Sequence, residues 1–225
     1  MKQLLNKLPF ALILSATFLF SPLSFSEPPN LTVIKNEVKQ YHDSGQYEKE
    51  LAKVTHKAQQ YIDHQARLNH SHNPHQKLAI VLDIDETSLS NYKYMIKRDF
   101  TGTHSQFHHD IMAANAPAIK PTLALYKDAL HHGVKVFFVT GRHQSEYDAT
   151  KRNLIKAGYT QWAGLYLRPN NYHNKSIIPF KSHTRELISQ KGYTILATIG
   201  DQYSDLKGGF AEKGFKLPNP YYYLP

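Results

Sequence analysis

The sequence predicts an α/β fold, a parallel sheet with helices on both faces, and three observations predict it. Four short apolar runs, at 78–82, 134–139, 164–167 and 195–199, are continuous rather than alternating, as strands buried on both faces are. Helical patterns over 145–157 and 184–190 separate the later runs, and strand–helix–strand alternation marks a parallel sheet. Each of those helices closes at a glycine, Gly158 and Gly192, where left-handed backbone is favoured. Such sheets bind ligands outside the carboxyl ends of their strands, so the chemistry is expected just after the four runs.

Taken in chain order, the first segment reads as a secretory signal. Lys2 and Lys7 precede an apolar run over 8–20, broken by Pro9 and Ser15, and Ser24-Phe25-Ser26 offers a small-residue cleavage site before Glu27. The run is short of the roughly 20 residues that a membrane span needs, although a retained anchor is the alternative. With no cysteine anywhere, disulfides and a lipidated cysteine are excluded. Residues 1–26 are therefore expected to leave an exported chain, periplasmic or secreted, with no stable membrane anchor.

Residues 27–77 follow as an N-terminal helical region. Pro28-Pro29 makes a linker, and the pattern over 31–68 is helical, with Leu51, Val54, Ala58, Tyr61 and Ile62 in step. Ser44-Gly45 divides it in two, and Asn73-Pro74 centres a polar loop. Residues 78–225 then hold the core. Between 88 and 118 the text turns polar and rich in histidine and aromatics, which reads as an insertion after the first strand. Together with the N-terminal helices it is expected to form a small, mostly helical cap. The length of 225 residues suits one core plus such a cap.

The net charge of +9 comes from scattered lysines, with no basic run of five after the leader. A solvated basic surface that attracts small anions fits this better than a site for a nucleic-acid polymer. A homo-oligomer is compatible with the sequence.

The strand ends carry the informative residues. Asp83 and Asp85 follow the first run, and two carboxylates at the tip of a buried strand are costly unless paired or metal-bound. A hard divalent cation such as Mg2+ suits an all-oxygen set. An Asx turn is the plain alternative. Thr140-Gly141-Arg142 follows the second run; a hydroxyl and backbone N–H groups there suit a phosphate oxygen, or Thr140 simply caps the next helix. Asp201 and Asp205 follow the fourth run, the first placed to share a metal with Asp83 and the second to support it from one turn on. Lys181 lies before the helix leading to that strand, where an ammonium could neutralise a phosphate; Lys175 competes for this role. His104 and His108 are four apart but lack a third ligand, and Gly209 and Gly214 match phosphate-loop spacing with Phe215 where its lysine must stand. Neither pair is taken as a site.

These elements in this order resemble the haloacid dehalogenase (HAD) superfamily, and more closely its acid phosphatase subfamily, which includes bacterial non-specific acid phosphatases and plant vegetative storage proteins. The resemblance rests on the 79–87 segment through Asp83, Asp85, Glu86 and Thr87, with Asn91-Tyr92 after it; on Val139-Thr140-Gly141-Arg142; on Leu165-Tyr166-Leu167-Arg168-Pro169; and on Phe180-Lys181-Ser182, the 200–206 segment and 215–220. It implies a HAD-like Rossmannoid core and a Mg2+-dependent hydrolase of small phosphomonoesters. In that scheme Asp83 is the nucleophile, Asp85 the acid and base whose carbonyl also binds metal, and Thr140, Gly141 and Lys181 hold the phosphoryl group. Asp201 ligates Mg2+ and Asp205 supports from the second layer. Related bacterial nucleotidases place an aromatic residue near Tyr222 for base stacking, which makes nucleoside monophosphates candidate substrates; packing of the C-terminus is the alternative for Tyr222. Glu86, where many HAD enzymes carry glycine, matches the narrower subfamily. A phosphotransferase using the same aspartyl-phosphate, or a storage or binding protein on this fold, are the other readings. Storage members can lack the nucleophile, whereas Asp83 is present.

Overall fold

In a computed structural model of the chain, the structure describes residues 27–224. The leader read over 1–26 lies outside the described residues. Helices α1 (Leu31–Asp43) and α2 (Gln46–His72) open the fold, followed by β1 (Lys77–Leu82), α3 (Tyr92–Lys97), α4 (His104–Met112) and α5 (Lys120–His131). Then come β2 (Lys135–His143), α6 (Tyr147–Lys156), β3 (Gly164–Arg168), α7 (Ile178–Gln190), β4 (Tyr193–Gly200) and β5 (Lys213–Lys216). The five strands are all parallel, in the order β3-β2-β1-β4-β5.

The period of two along each strand sorts side chains into two cores. On β1, Leu78, Ile80 and Leu82 face one layer with Val136, Phe138, Ile199 and the inner faces of α2 and α5. Ala79 and Val81 face the other with Phe137, Val139, Ile195 and Ile188 of α7. Both sheet faces are covered, which is why these strands read as unbroken apolar runs. The N-terminal helices divide their work. Tyr47, Leu51, Ala58, Ile62 and Ala66 of α2 belong to the main core, while α1 joins the insertion: His42 stacks on Tyr92 with ring centroids 3.4 Å apart, and the Tyr92 hydroxyl donates to Asp43 at 3.0 Å. The insertion itself folds into α3 and α4, and Leu89 bridges Asp85 on one side and Ala118 on the other, so it departs and returns at one point.

Three elements differ from the sequence expectation. Helix α7 begins at Ile178, so Lys181 sits in its first turn rather than before it; Pro179 at the first helical positions suits that start. Helix α5 and edge strand β5 were not anticipated. Strand β5 has only Phe215 buried, too little to make an apolar run.

Candidate active site

The carboxyl ends of the strands open into a cavity of about 890 Å3, reached by Asp83, Asp85, Arg142, Lys181 and Asp201 among others. Asp83 continues β1 after its last ladder residue and is 6% exposed, with its amide donating to the Ile199 carbonyl at 3.0 Å. Asp201 follows β4 directly. Asp205 is brought back toward the strand by a short helical turn over Tyr203–Asp205. That return demands glycine at the strand end, because a Cβ on Gly200 would lie 2.1 Å from Asp205 Oδ2.

Three of the carboxylates form one cluster. Oxygens of Asp83, Asp201 and Asp205 lie within 4.8 Å of one another, all on buried residues. The Lys181 ammonium bridges two of them, donating to Asp83 Oδ1 at 2.8 Å and to Asp205 Oδ1. Lys181, not Lys175, is thus the lysine that reaches the cluster. Burial would lower its pKa, but the Asp205 and Asp83 carboxylates outweigh that and hold it well above the usual lysine range. Asp201 is fixed by donors on three sides: the Thr87 hydroxyl at 2.9 Å, Gln202 Nε2 at 2.7 Å and Asn219 Nδ2 at 2.6 Å. The amide of Gln202 donates to Asp205 Oδ2 at 2.8 Å.

One ammonium does not offset three buried carboxylates. Burial, then the Asp205 charge, pushes Asp83 well above the ordinary carboxylate range, and the same two causes raise Asp201. The donor set is all oxygen, tightly gathered and short of positive charge, which fits a hard divalent cation. Asp83 and Asp201, with Asp205, are the residues that could hold it.

Asp85 stands apart from this cluster. Its carboxylate faces Arg142 in a forked pair, Nη2 to Oδ1 at 2.6 Å and Nε to Oδ2 at 3.0 Å, and accepts Asn91 Nδ2 at 2.8 Å. Burial works to raise Asp85, but the Arg142 guanidinium prevails and holds it below the usual range. Glu86 adopts φ +54°, a left-handed conformation, and its carboxylate accepts the Asn91 amide at 2.6 Å and the Tyr222 hydroxyl at 3.1 Å. Burial, then Asp85, pushes Glu86 up to about 8. Gly141 lines the cavity, whereas Thr140 is fully buried and its hydroxyl accepts the Arg142 amide at 3.2 Å. Tyr222 lines the cavity, tied to Glu86 and, through its amide, to Asn219 at 3.3 Å.

Sequence reasoning assigned no role to Arg142, Asn91, Asn219 or Gln202. Each lay inside a quoted motif, but only the folded geometry pairs it with a carboxylate.

Comparison with known proteins gives the family and the fold. A family model described as HAD superfamily, subfamily IIIB (acid phosphatase) matches residues 28–225, and the chain belongs to that family. It is 36% identical over 148 residues to acid phosphatase 1 of Solanum lycopersicum, covering 64% of this chain and 58% of that protein. It is 32% identical over 149 residues to vegetative storage protein 1 of Arabidopsis thaliana, covering 64% and 55%. The chain thus spans somewhat over half the length of these relatives. Among solved structures, the class C acid phosphatase from Bacillus anthracis superposes with a TM-score of 0.69 at 24% identity, covering 86% of this chain and 85% of that one, which shows the fold.

Proposed function

We propose that the protein is a Mg2+-dependent phosphatase of small phosphomonoesters, working through an aspartyl-phosphate on Asp83. The observation that carries the reading is the buried Asp83–Asp201–Asp205 cluster with Lys181 bound into it. Asp83 attacks phosphorus in line and the leaving alcohol departs with a proton from Asp85. Water then gives a proton back to Asp85 and attacks the phosphoryl group, releasing phosphate and restoring Asp83. Asp83 and Asp201, with Asp205, would hold the metal, which when bound would neutralise charge on the phosphoryl oxygens and the nucleophile. Lys181 and the backbone at Gly141 balance the rest of that charge. Thr140 supports the Gly141 turn from its buried position and joins the phosphate contacts when substrate seats.

The forked pair with Arg142 orients Asp85, and because it keeps that carboxyl acidic, the protonated acid is most populated at low pH. An acidic optimum follows. Tyr222 lies where a nucleobase could stack, a contact worth about 1–3 kcal/mol, so nucleoside monophosphates belong in the substrate panel. We place the activity outside the inner membrane, in the periplasm or beyond, on the strength of the leader pattern over 1–26. Among the described residues no helix is long and apolar enough to cross a membrane.

The test is phosphate release from a broad panel, with and without chelator, beside Asp83→Asn. Metal-dependent release that Asp83→Asn abolishes is expected. Release that survives Asp83→Asn overturns the covalent route, and no release from any substrate favours the storage role of the plant relatives. A phosphorylated product on an added alcohol would mark a phosphotransferase.

A further inference from the structure

The same cavity has a second polar wall that the phosphoryl chemistry does not use. It is built where β2 outruns the regular ladder: the register with β3 breaks after Thr140 and resumes with His143 opposite Arg168. That break sets His143 and Arg168 side by side at the carboxyl end of the sheet, both lining the cavity with Lys175, His104 and His108.

The charges on this wall do not balance. Arg98, Arg142 and Lys181 of the cavity each sit on a carboxylate, respectively Asp110, Asp85 and Asp83. Glu146 has both oxygens engaged, by His108 Nδ1 at 2.8 Å and the His143 amide at 2.8 Å. Arg168 and Lys175 have no carboxylate partner among the described residues. Arg168 gives an Nη2–H to His143 Nε2, so the two side chains stand as one polar pair at the sheet end. Arg168 Nε is buried with no hydrogen-bond partner. Burial, then the Arg168 charge, holds His143 below the ordinary histidine range, with Glu146 opposing in part. A buried donor left unmatched costs about 1–3 kcal/mol, more on a charged group. That atom is closed off from the cavity, but an anion there would offset the surplus positive charge of Arg168 and Lys175, which both line it.

We propose that His143 and Arg168, with Lys175 at the mouth, form a subsite for a second anionic group on the substrate. The preferred substrates are then phosphomonoesters whose leaving alcohol also carries a carboxylate or a further phosphate. This rests on the phosphatase reading and sharpens its substrate class. Both anions share the chemistry of a planar or tetrahedral oxyanion facing a guanidinium.

The experiment compares isosteric substrates that differ only in that charge, 4-carboxyphenyl phosphate and 4-carbamoylphenyl phosphate, with 1,4-phenylene bisphosphate to separate a phosphate from a carboxylate. Wild type should favour the carboxylate about tenfold in kcat/KM, mostly through KM, equivalent to about 1.4 kcal/mol. Arg168→Gln should bring the ratio to near one while leaving the carboxamide within about twofold of wild type. His143→Gln, which keeps the strand pairing, should lower the ratio in the same direction and stands in should Arg168→Gln not fold. Calorimetric binding of the matching non-hydrolysable benzylphosphonates, carboxylate against carboxamide, reads the same preference in a protein that turns nothing over. Hydrolysis can therefore fail without deciding this point. Equal rates and equal binding for the charged and neutral partners, or a preference that survives both variants, overturns the subsite.

Discussion

Two groups of carboxylates occupy opposite ends of the sheet, and only one has the marks of a catalytic centre. At the carboxyl end, Asp83, Asp201 and Asp205 gather their oxygens on buried residues. At the amino end, ligand atoms of Asp63, Asp128 and His132 also lie together, but on half-buried residues. His132 lines a shallow cavity of about 370 Å3 with Lys77, Lys135 and Tyr193, the first residues of three strands. The side chains of Asp83 and Asp205 are 8% and 2% exposed, against 20% and 23% for Asp63 and Asp128. At the carboxyl end, amides and a hydroxyl hold Asp201, the Gln202 amide holds Asp205, and the Lys181 ammonium holds Asp83. At the amino end, His132 Nδ1 spends its proton on the Asp128 carbonyl at 3.0 Å, closing the last turn of α5. Proximity of ligand types is common; burial, with donors holding each ligand in place, is what separates a site from a helix cap.

The comparison breaks first at the proposed nucleophile. Asp83→Asn should cost on the order of 10^4-fold in phosphate release while the protein stays folded. It should also raise metal-free stability at neutral pH. Asp83, Asp201 and Glu86 all have folded pKa values above their unfolded ones, so the folded state holds more protons between the ordinary carboxylate range and about 8. Metal-free stability therefore falls as pH rises through that window, whereas Asp85, held low, contributes to the slope only below it. Thermal melts from pH 4 to 8 read the slope, and Asp83→Asn should flatten it. Saturating Mg2+ should raise the melt by about 2.7 kcal/mol at a hundredfold excess over Kd in wild type, and Asp128→Asn should leave that gain intact.

A matched pair of glycine substitutions comes next. Gly200→Ala drives a methyl into Asp205, so activity should drop by about a hundredfold or more through misplacement of the cluster. Gly133, at φ +75° beside the amino-end cavity, has nothing within 4 Å of an added Cβ. Gly133→Ala should cost about 1 kcal/mol of stability from backbone strain alone, with kcat unchanged. Equal activity losses in the two variants would remove the distinction between the ends.

Arg142→Gln should act more mildly, lowering kcat by roughly ten- to a hundredfold. Without the guanidinium the Asp85 pKa rises, its proton is kept to higher pH, and the optimum of kcat should move upward. An unmoved pH profile would assign Arg142 a packing role only.

How much of this was legible in the sequence follows from where the information lies. The three inner strands were, because burial on both faces writes itself as an apolar run, and edge strand β3 was through its own short apolar run. Strand β5 was not: an edge strand of Lys-Gly-Phe-Lys needs only Phe215 inside. Helix α5 was hidden because Pro121 and the adjoining β2 run mask its period, although Leu125, Tyr126 and Ala129 are buried on one face. The carboxylates were legible as pairs at strand tips. Their partners were not, since Arg142 meets Asp85 across 57 positions and Asn219 meets Asp201 across 18, distances at which spacing carries no signal.

The smallest expected effect is the sharpest control. His132→Gln keeps a side chain able to donate to the Asp128 carbonyl, and it removes the one nitrogen ligand of the amino-end group. A partly exposed pair of this kind contributes about 0–1 kcal/mol, so the melt should shift by a degree or two. Phosphate release, its metal dependence and its pH profile should match wild type. If that group held an ion the enzyme needs, metal titration would show a second, weaker transition in wild type that His132→Gln erases along with activity. A single transition, unchanged in the variant and lost in Asp201→Asn, assigns metal binding to the carboxyl end of the sheet.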